Sequence, residues 1–183
     1  MTGIKNELFQ RVSEACARRS RQRTKHCLCV KIGEQKLYHF DGDALEKVYT
    51  ISTSLRPPSC LEHSLGTPTG LHEVAEKIGD GAPPGMVFKS RVPTGWTWMG
   101  APPEEMLKNL VTTRILRLRG LDAGHNAGLG RDSYDRYIYI HGTNHPDKLG
   151  TPASAGCVQL SDAEVIEFFD IVPEGSLVWI EDK

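Results

Sequence analysis

The sequence lacks any apolar run close to the roughly 20 residues that a membrane-spanning helix needs. Residues 1–25 are polar and basic and contain no apolar segment of a secretory signal, so we expect neither a transmembrane segment nor a signal in this stretch. An excess of charge is also missing, because 22 Lys and Arg residues face 23 Asp and Glu residues for a net charge of −1. Without a strong field of one sign, the composition favours neither nucleic acid nor a membrane surface as a partner.

The five cysteines are an odd number, and they form no C-x-x-C pair and no zinc-binding spacing. A surplus of unpaired thiols is more typical of a reducing compartment than of an oxidising one. The sequence also contains no glycine-rich phosphate-binding motif and no internal repeat. We therefore expect no metal, no nucleotide and no other cofactor. Cys27 and Cys29 alternate within a strand-like run and are predicted to be core thiols on one face.

The pattern of apolar residues predicts a mainly β fold with two or three short helices. A chain of 183 residues with 39% hydrophobic residues suits one main domain and can bury roughly 70% of its unfolded surface. Residues 3–19 have the helical spacing of Ile4, Leu8 and Val12, and the apolar period changes to two from Cys27 onward. We predict an N-terminal helix and basic segment at 1–25, followed by the main domain at 26–183. Strands are expected at 27–32, 36–40, 47–53, 71–78, 86–90, 112–118, 136–140 and 176–180.

A segment rich in Gly and Pro at 79–103 is expected to have little regular structure apart from the strand at 86–90, and a helical turn follows at 104–110. A loop of this length in a compact domain is often a lid or a binding loop. Trp96 and Trp98 lie in it, where they either form a wall for a substrate or pin the loop to the core. His125 lies in a second Gly-rich loop at 120–131 and is predicted to be an exposed residue without partners.

The most informative stretch runs from Ile140 to Leu160. His141 directly follows the strand expected at 136–140, and Cys157 comes sixteen residues later on a turn of small residues. After Cys157, Ser161 and Glu164 have the spacing of a capping box that begins a helix at 161–171. The sequence therefore predicts a thiol just ahead of a helix and an imidazole at the end of a neighbouring strand.

This arrangement suits a cysteine nucleophile. A nearby imidazole or a helix N-terminus activates a thiol, although most single Cys and His residues in proteins are structural. Gly156 allows a sharp turn, so the backbone N–H groups of Gly156 and Cys157 are the predicted oxyanion donors. A backbone carbonyl near Gly142 is expected to orient His141. Ser154, Gln159 and Gly142 are the candidate substrate contacts.

Three motifs in this chain resemble those of the L,D-transpeptidase catalytic domain, the YkuD family. They are IHGT at 140–143, SAGCVQL at 154–160 and TPTGL at 67–71, and the resemblance extends from about Cys27 to Ile180. It implies a β-sandwich-like catalytic fold, with Cys157 as the nucleophile and His141 as the base. Two positions depart from the family pattern, because Ala155 stands where His is usual and Gln159 stands where Arg or Asn is usual.

The resemblance also implies a substrate and a place of action. The donor would be a peptidoglycan stem tetrapeptide that is cut between its third residue, usually diaminopimelate, and its terminal D-Ala. The acceptor would be an amine of a second stem. The family works at the cell envelope, whereas residues 1–25 show no signal, so a cytoplasmic location stays open.

Other functions remain open at the level of sequence. Water could resolve the same thioester, which would give an L,D-carboxypeptidase or an amidase. The chain could instead be an inactive peptidoglycan-binding protein, or a cytosolic thiol protein in which Cys157 is only redox-active.

Overall fold

The computed structural model describes the backbone of residues 2–183 and the side chains from Glu7 onward. Over these residues the chain is mainly β with three helices, as the sequence predicts. The helices are α1 (Thr2–Ala17), α2 (Pro103–Met106) and α3 (Asp162–Ile171). The strands are β1 (His26–Lys31), β2 (Lys36–Asp41), β3 (Ala44–Thr50), β4 (Gly70–Ile78), β5 (Met86–Lys89), β6 (Val92–Thr97), β7 (Val111–Gly120), β8 (Tyr139–Gly142), β9 (Val158–Leu160) and β10 (Leu177–Glu181).

All of these strands belong to one curled sheet. Its main order is β3-β2-β1-β10-β4-β7-β5-β6, and β8 and β9 branch from β7. The last strand, β10, lies in the interior of the sheet, parallel to β1 and antiparallel to β4. An isolated bridge between Ser52 and Gln159 joins the segment after β3 to β9. The sheet therefore closes on itself around the strand pair that carries the two predicted catalytic residues.

The main core lies between the inner face of this sheet and helix α3. Its buried side chains include Leu28, Leu116, Ile140, Val158 and Phe168. Ser161 caps α3 as predicted, because its hydroxyl accepts the Glu164 N–H at 3.3 Å. The core side chains of β8 and β9 alternate with residues on the opposite face, as a strand requires. That opposite face is where the candidate site forms.

Helix α1 covers part of the outer face of the sheet. Leu8, Val12 and Cys16 pack in one buried cluster with Cys27 and Cys29 of β1. The prediction that Cys27 and Cys29 are core thiols is confirmed, and the cysteines of the described residues are all free. The helix predicted at 3–19 is also confirmed, although the side chain of Ile4 lies outside the described residues.

Three local predictions need correction. The segment 79–103 contains a second strand, β6, in which Pro93 and Gly95 hide the strand pattern at an edge of the sheet that tolerates them. The strand predicted at 136–140 begins only at Tyr139, because the backbone of Tyr137 is left-handed with φ of 57°. His141 thus lies inside β8. Cys157 does not lie directly ahead of a helix as predicted, because strand β9 comes between it and the Ser161 cap of α3.

Two further predictions, one of a helix and one of a strand, are confirmed. The helical turn expected at 104–110 is present as α2, one turn at Pro103–Met106. The strand-like assignment of 71–78, which helical periodicity would also have allowed, is confirmed as β4. Within the described residues, no helix is both long enough and apolar enough to span a bilayer.

Candidate active site

Strands β8 and β9 bring His141 and Cys157 to one face of the sheet. The two strands are parallel, with Ile140 opposite Val158 and His141 opposite Gln159. Because Ile140 and Val158 point into the main core, the alternate residues point away from it. Cys157 lies one step before β9, so the thiol and the imidazole are diagonal neighbours on this face of the strand pair.

The orientation of His141 follows from one hydrogen bond. Its Nδ1 lies 2.7 Å from the carbonyl oxygen of Gly142, and a carbonyl oxygen only accepts. The proton of the neutral imidazole is therefore on Nδ1, which leaves the Nε2 lone pair free to take a proton. This is the backbone carbonyl that the sequence predicts as the orienting group. Burial lowers the pKa of His141 to about 4, so the imidazole is neutral at pH 7.

The Cys157 thiol is held by the backbone of the segment that leads into β8. Its Sγ lies 3.5 Å from the carbonyl oxygen of Tyr137, to which the thiol donates, and accepts the Tyr139 N–H at 3.4 Å. Within the described residues no hydrogen bond joins this Sγ to His141. Burial raises the pKa of Cys157 to about 11, although the Tyr139 N–H and the charge of Arg136 act in the opposite direction. The resting pair is therefore a neutral thiol and a neutral imidazole.

The turn before Cys157 is built around Gly156 and Ser154. Gly156 has φ of 123°, and a Cβ atom there would lie 3.3 Å from the carbonyl oxygen of Gly66. This conformation favours glycine, as the sequence predicts for a sharp turn. Ser154 is buried, and its hydroxyl donates to the Cys157 carbonyl at 2.6 Å and accepts the Gly156 N–H at 3.2 Å. Ser154 thus stabilises the turn at 154–157 that leads to Cys157.

These contacts bear on the predicted oxyanion donors and substrate contacts. The Gly156 N–H is engaged by Ser154 in this structure. Gln159 is buried on the side of His141 and donates from Nε2 to Asn109 Oδ1 at 2.6 Å. Gly142 is buried as well, and a Cβ atom there would come within 2.7 Å of Asp162 Oδ1. The roles of these residues toward substrate stay predictions.

Asp162 is a residue of the site that sequence reasoning did not identify. Its Oδ2 accepts the indole N–H of Trp98 at 2.7 Å, and its Oδ1 accepts the hydroxyls of Thr112, at 2.7 Å, and of Thr113. Its charge raises the pKa of His141, against the larger effect of burial. The only signal in the sequence was its position in the first turn of the helix, which does not reveal partners from β7 and the 79–103 segment.

Strained backbone occurs on both sides of the site. Thr113 has φ of 67°, which is a genuine outlier for a β-branched residue, and it lies in the β7 irregularity that pairs with β8. Tyr137, with φ of 57°, offers the carbonyl that accepts the Cys157 thiol. Such conformations cost about 1–3 kcal/mol each and cluster at functional sites. Here the strained backbone of Thr113 places its hydroxyl against Asp162, and that of Tyr137 places its carbonyl against the Cys157 thiol.

Arg136 holds the loop at 59–66 against the turn at 154–157. It donates to the carbonyl oxygens of Ser59 at 3.0 Å and of Gly66 at 2.8 Å. Next to it lies a cavity of about 240 Å³ that is also lined by Ala155 and His63. Ala155 is exposed there, so this side of the turn before Cys157 faces open space.

The predictions for His125, Trp96 and Trp98 have mixed outcomes. His125 is exposed as predicted, but it has partners, since its Nε2 lies 3.0 Å from Thr69 Oγ1 and 3.5 Å from Cys60 Sγ. Trp98 pins the 79–103 segment to Asp162, as one of the two interpretations expects, while Trp96 lies under the ammonium group of Lys89. No group of three or more His, Cys, Asp and Glu side chains that could hold a metal ion occurs within residues 2–183.

Known proteins resemble this chain in both sequence and fold. The Bacillus subtilis (strain 168) protein YkuD is 46% identical over 41 residues, which are 22% of this chain and 25% of that protein. The B. subtilis protein YqjB is 38% identical over 56 residues, which are 30% of this chain and 32% of that protein. The matches therefore span about a quarter to a third of these relatives.

Solved structures show the fold at low sequence identity. An L,D-transpeptidase from Mycobacterium smegmatis superposes with a TM-score of 0.53 at 17% identity, covering 86% of this chain and 58% of the other. One from Xylanimonas cellulosilytica gives a TM-score of 0.55 at 17% identity, covering 88% and 62%. The family model of the L,D-transpeptidase catalytic domain, YkuD, matches residues 25–180. This chain therefore belongs to the YkuD family of L,D-transpeptidase catalytic domains.

Proposed function

We propose that this protein is a cysteine acyltransferase that performs L,D-transpeptidation on peptidoglycan stem peptides. The observation that carries the proposal is the geometry of β8 and β9. His141 presents a free Nε2 on the same face as the partly exposed Cys157 thiol, because Gly142 fixes its tautomer. Family membership supplies the substrate class and the expected action at the cell envelope.

The first half-reaction forms a thioester. Cys157 Sγ attacks the carbonyl carbon of the donor peptide, and the thiol proton passes to His141 Nε2. Because the pKa of the thiol lies near 11 and that of the imidazole near 4, a stable ion pair does not form in the resting site. Proton transfer must therefore accompany the attack on the carbonyl. The imidazolium then gives its proton to the leaving amine as the C–N bond breaks.

The second half-reaction transfers the acyl group. An acceptor amine attacks the thioester carbonyl, its proton passes to His141 Nε2 and then returns to the Cys157 sulfur as the C–S bond breaks. The Cys157 N–H is the proposed oxyanion donor. The Gly156 N–H can join it only if the hydrogen bond to Ser154 opens. Removal of one such donor typically costs about 10²–10³ in rate.

The test is intact-mass spectrometry of the protein and its products after incubation with a disaccharide tetrapeptide, with and without an acceptor stem. A cross-linked product together with released D-Ala would support transpeptidation. Loss of D-Ala without cross-linking would show hydrolysis of the thioester and replace this proposal with an L,D-carboxypeptidase.

Two variants identify the reactive thiol. Cys157→Ala should accept no acyl group from a β-lactam of the carbapenem type, whereas Cys60→Ala, which removes the thiol near His125, should still gain one adduct. Because the Cys157 thiol is partly exposed and bonds only to backbone groups, the fold should persist without it. An adduct on Cys157→Ala would exclude Cys157 as the nucleophile, and an unreactive wild-type protein would indicate a binding role alone.

A further inference from the structure

The β5–β6 hairpin brings Arg91 against two tyrosines of the segment that leads into and starts β8. Ser90 and Arg91 form its two-residue turn, with φ of 50° and 70°. This is the turn geometry that hairpins favour, although Gly and Asn adopt it more readily. Arg91 Nη1 donates to the Tyr139 hydroxyl at 3.3 Å, and its guanidinium lies 4.8 Å from the centre of the Tyr137 ring. These are the two tyrosines whose backbone groups hold the Cys157 thiol.

Most N–H donors of Arg91 have no acceptor within the described residues, whereas two nearby arginines are bound to several acceptors. A guanidinium has five N–H donors, and the Tyr139 hydroxyl is its one acceptor within the described residues. No carboxylate of the described residues pairs with it. By contrast, Arg117 pairs with a glutamate and a backbone carbonyl, and Arg136 is bound to the carbonyls of a loop. Of these three arginines, Arg91 is therefore the one best able to accept an anion, and its guanidinium lies against the side chains of Tyr137 and Tyr139.

We propose that Arg91 is a specificity-determining residue that binds a carboxylate of the acyl-donor peptide next to the bond that Cys157 attacks. The inference rests on the proposed acyl transfer. A donor that loses one terminal amino acid carries its carboxylate one residue beyond the scissile bond, so this anion must lie close to the thiol. A planar guanidinium binds a carboxylate through two parallel hydrogen bonds, which an ammonium group cannot reproduce.

The test compares two donor peptides, one with a free C-terminal carboxylate and one with a C-terminal amide, on wild type and Arg91→Met. We expect wild type to prefer the free carboxylate. Arg91→Met should lower kcat/KM for this donor about 10–100-fold, mainly through KM, and leave the amide donor unchanged. Arg91→Lys should recover only part of the preference.

Arg119→Met is the matched control. Its guanidinium also lies 4.8 Å from a tyrosine ring, that of Tyr134, but it is already paired with Glu73. This variant should keep the wild-type preference. If Arg91→Met also kept the preference for the free carboxylate, or lost activity equally on both donors, Arg91 would not bind the carboxylate of the donor. If wild type released no amino acid from either donor, the proposed function would fail, and this inference with it.

Discussion

At the scale of single residues, the burial of His141 determines how the site responds to pH, because burial is the main cause of its lowered pKa. The imidazole is neutral above its pKa of about 4, and Cys157 is a thiol below its pKa of about 11. Acylation by general base catalysis therefore requires a pH above the pKa of His141 only. We expect the acylation rate of wild type by a carbapenem to rise through about pH 4 and then stay level to about pH 9.

The variant His141→Ala separates this mechanism from simple thiolate chemistry. Without the base, only the thiolate reacts, so the rate at pH 7 should fall by orders of magnitude. It should then increase about tenfold per pH unit toward the pKa of the thiol. The measurement is the rate of adduct formation by mass spectrometry from pH 4 to pH 10. A wild-type rate that also increases tenfold per unit around neutrality would contradict a base role for His141.

A second prediction concerns the room around Gly142. A Cβ atom at this position would lie 2.7 Å from the side-chain oxygens of Thr112 and Asp162 and 2.8 Å from the Thr112 carbonyl oxygen. Since the backbone cannot yield easily, Gly142→Ala should destabilise the protein by about 1–3 kcal/mol. It should also lower acylation at Cys157, because the carbonyl that orients His141 must move.

Urea unfolding and the acylation rate measure the two effects. Gly100→Ala is a suitable control, because its Cβ atom would meet only a threonine hydroxyl at 4.0 Å. Normal stability and normal acylation of Gly142→Ala would show that the local packing is looser than the structure indicates.

The sequence identifies the candidate nucleophile, the candidate base and the orienting carbonyl because all three lie in one short stretch with local motifs. It does not predict Asp162 or Arg91. These residues meet the site through contacts with Thr112, Trp98 and Tyr139, which lie about 50 to 65 positions away along the chain. Such pairings depend on sheet register, which local periodicity does not determine.

At the scale of secondary-structure elements, Asp162 connects the start of α3 to β7 and to the segment after the β5–β6 hairpin. Asp162→Asn keeps an oxygen for the threonine hydroxyls but places an amide N–H₂ group against the indole N–H of Trp98. We expect the segment around Trp98 to lose protection in hydrogen exchange. The charge of Asp162 raises the pKa of His141, so its removal should shift the acid limb of the pH profile to lower pH.

Asp170→Asn provides the control on the same helix, because Asp170 is exposed near the end of α3. It should change neither hydrogen exchange nor the pH profile. If Asp162→Asn moved the acid limb upward, the electrostatic role assigned to Asp162 would be wrong.

The order of elements is largely predictable, and their boundaries near the site are not. Most strands follow the two-residue period of the sequence, and the capping box marks the start of α3. Strand β6 is missed because Pro93 and Gly95 are typical of loops, and only an edge strand accommodates them. The start of β8 is misplaced because the left-handed backbone at Tyr137 depends on the tertiary structure.

At the scale of the whole molecule, buried histidines link stability to pH. Burial lowers the pKa of His72 and of His141 to about 4, and lowers that of His39 as well. His72 is held neutral between the Gly70 carbonyl and the Ser133 hydroxyl. The unfolded chain protonates these side chains near pH 6.5. Between about pH 6.5 and 4 the unfolded state therefore binds more protons, so stability must decrease as the pH falls.

The expected loss is large for a domain of this size. A depression of the pKa from 6.5 to about 4 corresponds to roughly 3 kcal/mol for each of His72 and His141, against a typical total of about 5–15 kcal/mol. Urea unfolding at pH 7 and pH 5.5 measures the first part of this loss, in a window above the range in which most carboxylates titrate. His72→Gln should reduce the slope with pH, and His63→Gln, whose side chain is 91% exposed, should leave it unchanged. Equal stability of wild type at both pH values would mean that these histidines are solvated rather than buried, and the neutral base proposed for Cys157 would lose its physical cause.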